Sequence, residues 1–254
     1  MIRYVYDGSL IGLLSGINRA LQLDEHPQEM VREQNVNYAL FNQDIKIESN
    51  GDNANQLFKR LEHIGGKSLI NDIFFLFLSE VQSIEILIFK YIYLTLQIDE
   101  NSASQFQQPI VSRCQRLIQK VQREYHRFQG LLRFETLEDG LLWSSYEPDF
   151  NISILLVSHF SKRMSNDPFV ICDVGRRFGF YYNGHEIKEI GFEHGIIKQL
   201  RHHKSLRNSP DRYVRLWQQY FEKISISQRR NFRLQMSLMP KKYRKYLTEI
   251  GFSL

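Results

Sequence analysis

"FVICDVGRRFGFYYNGHEIKEIG", residues 169–191, sets Asn183-Gly184 between two strand-like runs, with a third run ahead of them. Asn-Gly favours the turns that join antiparallel strands through two residues, so this stretch reads as a hairpin. Upstream, "GLLRFETLEDGLLWSSYEP" (residues 130–148) repeats the device around Asp139-Gly140. Between the two, "FNISILLVSHFSKRM" (150–164) has helical spacing. The order strand, strand, helix, strand, strand, strand predicts an antiparallel or mixed sheet with helices packed on one face, an α+β arrangement.

Working outward, the chain opens with a β-rich alternating run from Ile2 to Tyr6, a tight turn at Asp7-Gly8, and Leu10, Leu13, Leu14 and Ile17 at helical spacing. A short alternating run covers Phe41 to Glu48, and residues from about Ala54 to Gln97 read as helical, punctuated by Gly65-Gly66. "IDENSASQFQQP" is polar and closes on Pro109, which makes it the expected boundary between a helical N-terminal region, residues 1–108, and a sheet-containing region, residues 109–254. "LINDIFFLFLSEVQSIEILIFKYIYLTLQ" is interrupted by Asp72, Glu80, Glu85 and Lys90, so it reads as buried core helices and no membrane association is expected.

The two cysteines, Cys114 and Cys172, stand far apart, and no secretory leader pattern opens the sequence; a reducing, cytoplasmic setting is expected. Neither a GxGxxG after a strand, a GxxxxGK[ST], nor an HExxH occurs, so nucleotide-fold and zincin chemistry have no foothold. His185, His194 and His202-His203 read as solvent-facing, because a zinc site needs converging ligands. No metal or other cofactor is expected. Pro148-Asp149 with Glu186-Ile187-Lys188 resembles a short metal-dependent nuclease pattern in which two carboxylates hold a divalent ion.

Charge is unevenly spread. From Arg201 to Lys245 there are thirteen Lys and Arg against two acids, while the remainder carries 20 basic and 26 acidic residues, so the basic end is expected to meet a polyanion. Within it, "RRNFRLQMSLMPKKYRKYL" (229–247) mixes seven cations with Asn, Gln, Phe and Tyr, the side chains suited to phosphate, base-edge and stacking contacts. A second basic row lies on the amphipathic stretch "IVSRCQRLIQKVQREYHRF" (110–128), where Arg113, Arg116, Lys120, Arg123 and Arg127 recur at steps of three and four beside an apolar stripe of Cys114, Leu117, Val121, Tyr125 and Phe128. The expected nucleic-acid contacts are Arg113, Arg116, Lys120, Arg123, Arg229, Arg230, Asn231, Arg233, Gln235, Lys241, Lys242 and Tyr243.

The strings "YVYDGSLIGLL", "HRFQGLLRF", "EPDF" with "LLVSHFSKRM", "FVICDVGRR", "WQQYFEKISI" and "RRNFRLQ" leading into "MPKKYRKYL" resemble, in that order, a bacterial family of unknown biochemistry described as "probable DNA metabolism protein". The resemblance spans Tyr4 to Leu247 and implies a partnership with a radical-SAM protein that modifies or repairs DNA. Some relatives are fused to a uracil-DNA-glycosylase-like domain, which this chain does not resemble. Where relatives show "IPERRNP", this chain has Ser227 and Phe232. Three readings follow: a nucleic-acid-binding accessory, a scaffold for its protein partner alone, or a DNA-processing enzyme. The last would draw its acid–base groups from Asp7, His126, Arg133, Glu147, Asp149, His159 and Asp173.

Overall fold

Ile2–Tyr6 forms β1, and Ser9 then caps helix α1 (Leu10–Gln22) by accepting from the Gly12 amide at 2.9 Å. The computed structural model describes residues 2–36, 43–96, 109–137, 140–191, 215–216, 219, 223 and 241–247. Strand β2 (Glu29–Arg32), a 3-10 turn (Glu33–Asn35) and β3 (Gln43–Lys46) follow. Then come helices α2 (Gly51–Ser79), α3 (Ile84–Leu96) and α4 (Pro109–Leu131). β1 is the middle strand of a parallel sheet in the order β2-β1-β3. β1 and β3 fall within the alternating runs of the sequence, whereas β2 has only four residues, too few to show a period. α2 bends at Gly66, where φ is +61°, which matches the Gly65-Gly66 punctuation.

The chain divides into two compact units, residues 1–122 and 123–254, and the division falls inside α4. In the first unit, Tyr4 and Tyr6 of β1 join Leu13 and Ile17 of α1, Leu57, Leu61 and Leu76 of α2, and Ile84, Ile88 and Ile92 of α3 in one core. Cys114 and Ile118 of α4 complete it. Each such side chain contributes about 1.5–3 kcal/mol when fully buried, so the apolar stripes of α1 and α3 are held by burial rather than by helix propensity. No described helix is long and apolar enough to cross a membrane.

The second unit is the α+β arrangement expected from residues 130–191. β4 (Glu135–Thr136), β5 (Leu142–Tyr146), β6 (Phe169–Asp173), β7 (Phe178–Tyr182) and β8 (Ile187–Gly191) form one mixed sheet in that order. Only β5 and β6 are parallel, and helix α5 (Ser153–Arg163) connects them. Both hairpins exist, with loops longer than two residues. Tyr182 pairs with Ile187, because the Asn183 side chain accepts from the His185 and Glu186 amides and so builds a wider turn, with Gly184 at φ +96°. The Gly140 amide, at the other hairpin, reaches the Leu137 carbonyl at 3.0 Å.

All five residues of β6 are buried, so both faces of this sheet are covered. On one face, α5 lies over β6 and β7, with Phe134 bridging Phe160 and Phe169 at ring separations of 5.1 and 5.7 Å. On the other, Trp143, Val170, Cys172 and Ile190 form a separate apolar cluster with Leu137. A last short helix, α6, spans Lys241–Arg244. Arg215, Leu216, Gln219 and Lys223 are helical and exposed, at the spacing of one helix face.

Candidate nucleic-acid interface

Helix α4 divides into a buried face and a cationic face. Cys114, Ile118, Val121 and Phe128 are buried, whereas Arg113, Arg116, Lys120, Arg123 and Arg127 are all exposed. At 100° per residue these five cations fall within an arc of about 80° along one flank. None of them is paired with a carboxylate among the described residues; Arg116 instead donates from Nε to the Ser112 carbonyl of its own helix at 3.2 Å. Their charge is therefore directed at solvent.

One acid sits on the buried side of this helix. Glu124 is 3% exposed, a position that a carboxylate occupies only when its oxygens are bonded. It accepts from the Asp149 amide at 3.0 Å, the Phe150 amide at 2.8 Å and the Tyr243 hydroxyl at 3.2 Å. Tyr243 also sets its ring edge-on against Phe128, 5.1 Å away. Tyr243 is thus anchored to the part of α4 that belongs to the second unit. The sequence held a signal for Glu124: it interrupts the apolar stripe of α4 between Val121 and Phe128.

The "EPDF" segment is clasped from three sides. Glu124 holds its amides, while Arg176 donates to the Pro148 carbonyl at 3.3 Å and to the Asp149 carbonyl at 2.9 Å. Glu147 takes Lys245 Nζ at 3.2 Å and the Tyr246 hydroxyl at 3.1 Å, contacts that hold its carboxyl below the usual range. Arg176 is in turn fixed by Asp173, which accepts its backbone amide and its Nη1, each at 3.0 Å. Asp173 is fully buried, and desolvation pushes its carboxyl pKa upward against the opposing pull of Arg176.

The residues expected for acid–base work are distributed as follows. Asp7 belongs to the first unit, where it accepts from Ser9 Oγ at 2.7 Å and Ser49 Oγ at 2.6 Å; these bonds lower its pKa. His126 is exposed on α4. Arg133 closes the C-terminal end of α4, donating to the Gly130 and Leu132 carbonyls at 2.7 and 3.2 Å. His159 on α5 has Nδ1 3.4 Å from Gln129 Nε2, and its enclosed Nε2 has no hydrogen-bond partner among the described residues. Glu147, Asp149 and Asp173 gather around the end of β5 and β6, where Glu147 takes Lys245, the Asp149 amide donates to Glu124 and Asp173 holds Arg176.

Pro148-Asp149 and Glu186-x-Lys188 do not converge. β5 runs parallel to β6 and β7 antiparallel to it, so Asp149 follows one end of the sheet and Glu186 the other. Four strand steps, roughly 13 Å, separate those ends. Lys188 Nζ lies 3.5 Å from Glu186 itself. No group of three or more His, Cys, Asp and Glu suited to a metal occurs among the described residues.

Among the expected nucleic-acid contacts, Arg229, Arg230, Asn231, Arg233 and Gln235 lie outside the described residues, as do His194, His202 and His203; Lys241 and Lys242 open α6. Tyr243 is 4% exposed and packed on Phe128, so its ring serves as an anchor and offers no free stacking face.

A family model described as "Domain of unknown function (DUF4130)" matches residues 82–249, about two thirds of the chain, and the chain belongs to that family. The match covers α3, α4 and the five-stranded sheet and leaves out the parallel sheet of β1–β3. No curated protein matches the chain.

Proposed function

We propose, with DUF4130 membership as the premise, that this protein is a nucleic-acid-binding accessory that presents or remodels DNA for a separate radical-SAM modification or repair enzyme. The observation that carries the reading is the exposed flank of α4, where five cations share one face with no acid among them. Opposed charge along such a row would be expected if it served only to solvate a helix, as alternating-sign faces do. An unopposed row instead favours a linear polyanion, whose bound counterions are released when Lys and Arg replace them. Tyr243 packs on the Glu124–Phe128 stretch of the same helix, which supports joint action of Arg123 and Arg127 with the basic end of the chain. The DNA-metabolism and radical-SAM parts of the proposal rest on the ordered resemblance of residues 4–247.

Purification of the full chain with its radical-SAM partner, followed by analysis of bound nucleic acid, tests the reading. We expect DNA to copurify and to be lost as salt rises, with a log–log slope of about 0.9 per neutralised duplex phosphate or 0.7 per single-strand phosphate. A stable pair that carries no nucleic acid and has no salt-dependent affinity for DNA would leave the protein-only scaffold as the better account.

A further inference from the structure

We infer that α4 binds double-stranded DNA by lying in the major groove, with its cations on the flanking phosphates and an adjacent row, Gln119, Gln122 and His126, facing the base edges. The inference rests on the nucleic-acid reading above and narrows it to one class of substrate. From Arg113 to Arg127 the cationic row runs fourteen residue steps, about 21 Å at 1.5 Å per residue. Duplex DNA offers one negative charge per roughly 1.7 Å of axis, so a straight row of this length faces many phosphates at once.

Gln119, Gln122 and His126 are exposed; Gln119 and His126 lie beside the cations, and Gln122 continues the row toward the buried Ile118. They add uncharged or weakly charged donors and acceptors to the positive row. Glutamine can bond both adenine N6 and N7, a contact that phosphates cannot supply. No acid interrupts this outer half of the helix: Glu124, the one acid of α4, is turned inward to Asp149, Phe150 and Tyr243.

Single-stranded binding depends on aromatic faces for the unstacked bases. α4 provides none that is exposed: Phe128 is buried between Tyr146 and Tyr243, and Tyr125 is half-buried. A helix of 10–12 Å diameter matches the roughly 12 Å major groove of B-DNA. It does not enter the deep, narrow major groove of an RNA duplex. The groove reading therefore orders three ligands: duplex DNA first, then single-stranded DNA and duplex RNA.

Fluorescence anisotropy with the full chain tests this order, using a 20-base-pair DNA duplex, one of its single strands and the RNA duplex of the same sequence. At least tenfold tighter binding of duplex DNA is expected. Gln119→Ala with Gln122→Ala should shrink that preference several-fold and keep the salt slope, whereas Arg116→Gln with Lys120→Gln should weaken all three ligands and lower the slope. Unfolding midpoints of both variants, measured alongside, should match the parent, since only exposed groups change. Equal affinity for duplex and single strand, or competition by heparin as effective per charge as duplex DNA, overturns the groove inference and leaves nucleic-acid binding standing. Failure to bind any of the three overturns both.

Discussion

Tyr243 donates its hydroxyl to Glu124 Oε1 at 3.2 Å and joins the last described turn of the chain to α4, 119 residues earlier. The bond holds α6 against the Glu124–Phe128 stretch of α4. Glu124 also accepts from two amides of the loop that follows β5.

Glu124→Ala should therefore be among the more damaging single changes in the second unit. Each enclosed donor left without an acceptor costs about 1–3 kcal/mol, so a loss of about 3 kcal/mol or more is expected in denaturant unfolding. Tyr243→Phe removes its bond to Glu124 and keeps the ring on Phe128, which should cost about 1 kcal/mol. Equal effects of the two changes would mean that Glu124 does not hold the loop.

Arg176→Ala should uncover the buried charge of Asp173. Breaking a buried pair by removing one partner costs about 3–5 kcal/mol, because the remaining charge is left uncompensated. The pH dependence has a definite sign. Burial raises the Asp173 pKa, so the folded state holds its proton more tightly than the unfolded state, and this group's contribution to stability falls as pH rises above the ordinary aspartate range near 3.9. The defect of Arg176→Ala should accordingly be smaller at pH 4 than at pH 7, and Asp173→Asn in the same chain should recover part of it. A loss independent of pH would point to the carbonyl contacts of Arg176 instead.

Two glycines should respond in opposite directions to alanine. At Gly179 in β7 a Cβ would lie 2.5 Å from the Ile171 carbonyl oxygen and 3.0 Å from Cys172 Sγ, and backbone in the middle of a sheet cannot yield cheaply. Overpacking of this kind costs about 1–3 kcal/mol or more. At Gly130 in α4 a Cβ meets nothing within 4 Å, so Ala should stabilise by about 0.5–1 kcal/mol through helix propensity. Thermal unfolding of both variants checks the pair.

Alkali should loosen the first unit. Burial raises the hydroxyls of Tyr4 and Tyr91 to about 12, from near 10 in an unfolded chain. Stability from these groups is complete below pH 10 and is lost between pH 10 and 12, where the unfolded state has already released the protons. The share of tyrosinate absorbance that Tyr4→Phe and Tyr91→Phe remove should rise together with unfolding rather than ahead of it. Burial likewise lifts the Cys114 thiol to about 12, so at pH 8 only about one molecule in ten thousand carries the thiolate, and iodoacetamide should label Cys114 only after denaturation.

Residues 130–191 were legible as strand, strand, helix and three strands, because hairpin dipeptides and a change of apolar period are local signals. The two-sided character of α4 was equally plain, since its cations and its apolar stripe recur at helical steps. β2 was not legible, for a strand of four residues, Glu29–Arg32, owes its place to pairing with β1. Loop width also escaped the sequence: the Asn183 side chain captured two amides and widened the turn. Strand direction decided the fate of the Asp149 and Glu186 pattern, because antiparallel pairing of β6 and β7 sends the two to opposite ends of one sheet. Burial decided the rest. Glu124 is one more acid in the sequence, and only the tertiary structure makes it the acceptor for two loop amides and for Tyr243, since a carboxylate enclosed on an apolar stripe is stable only where donors from distant segments meet it.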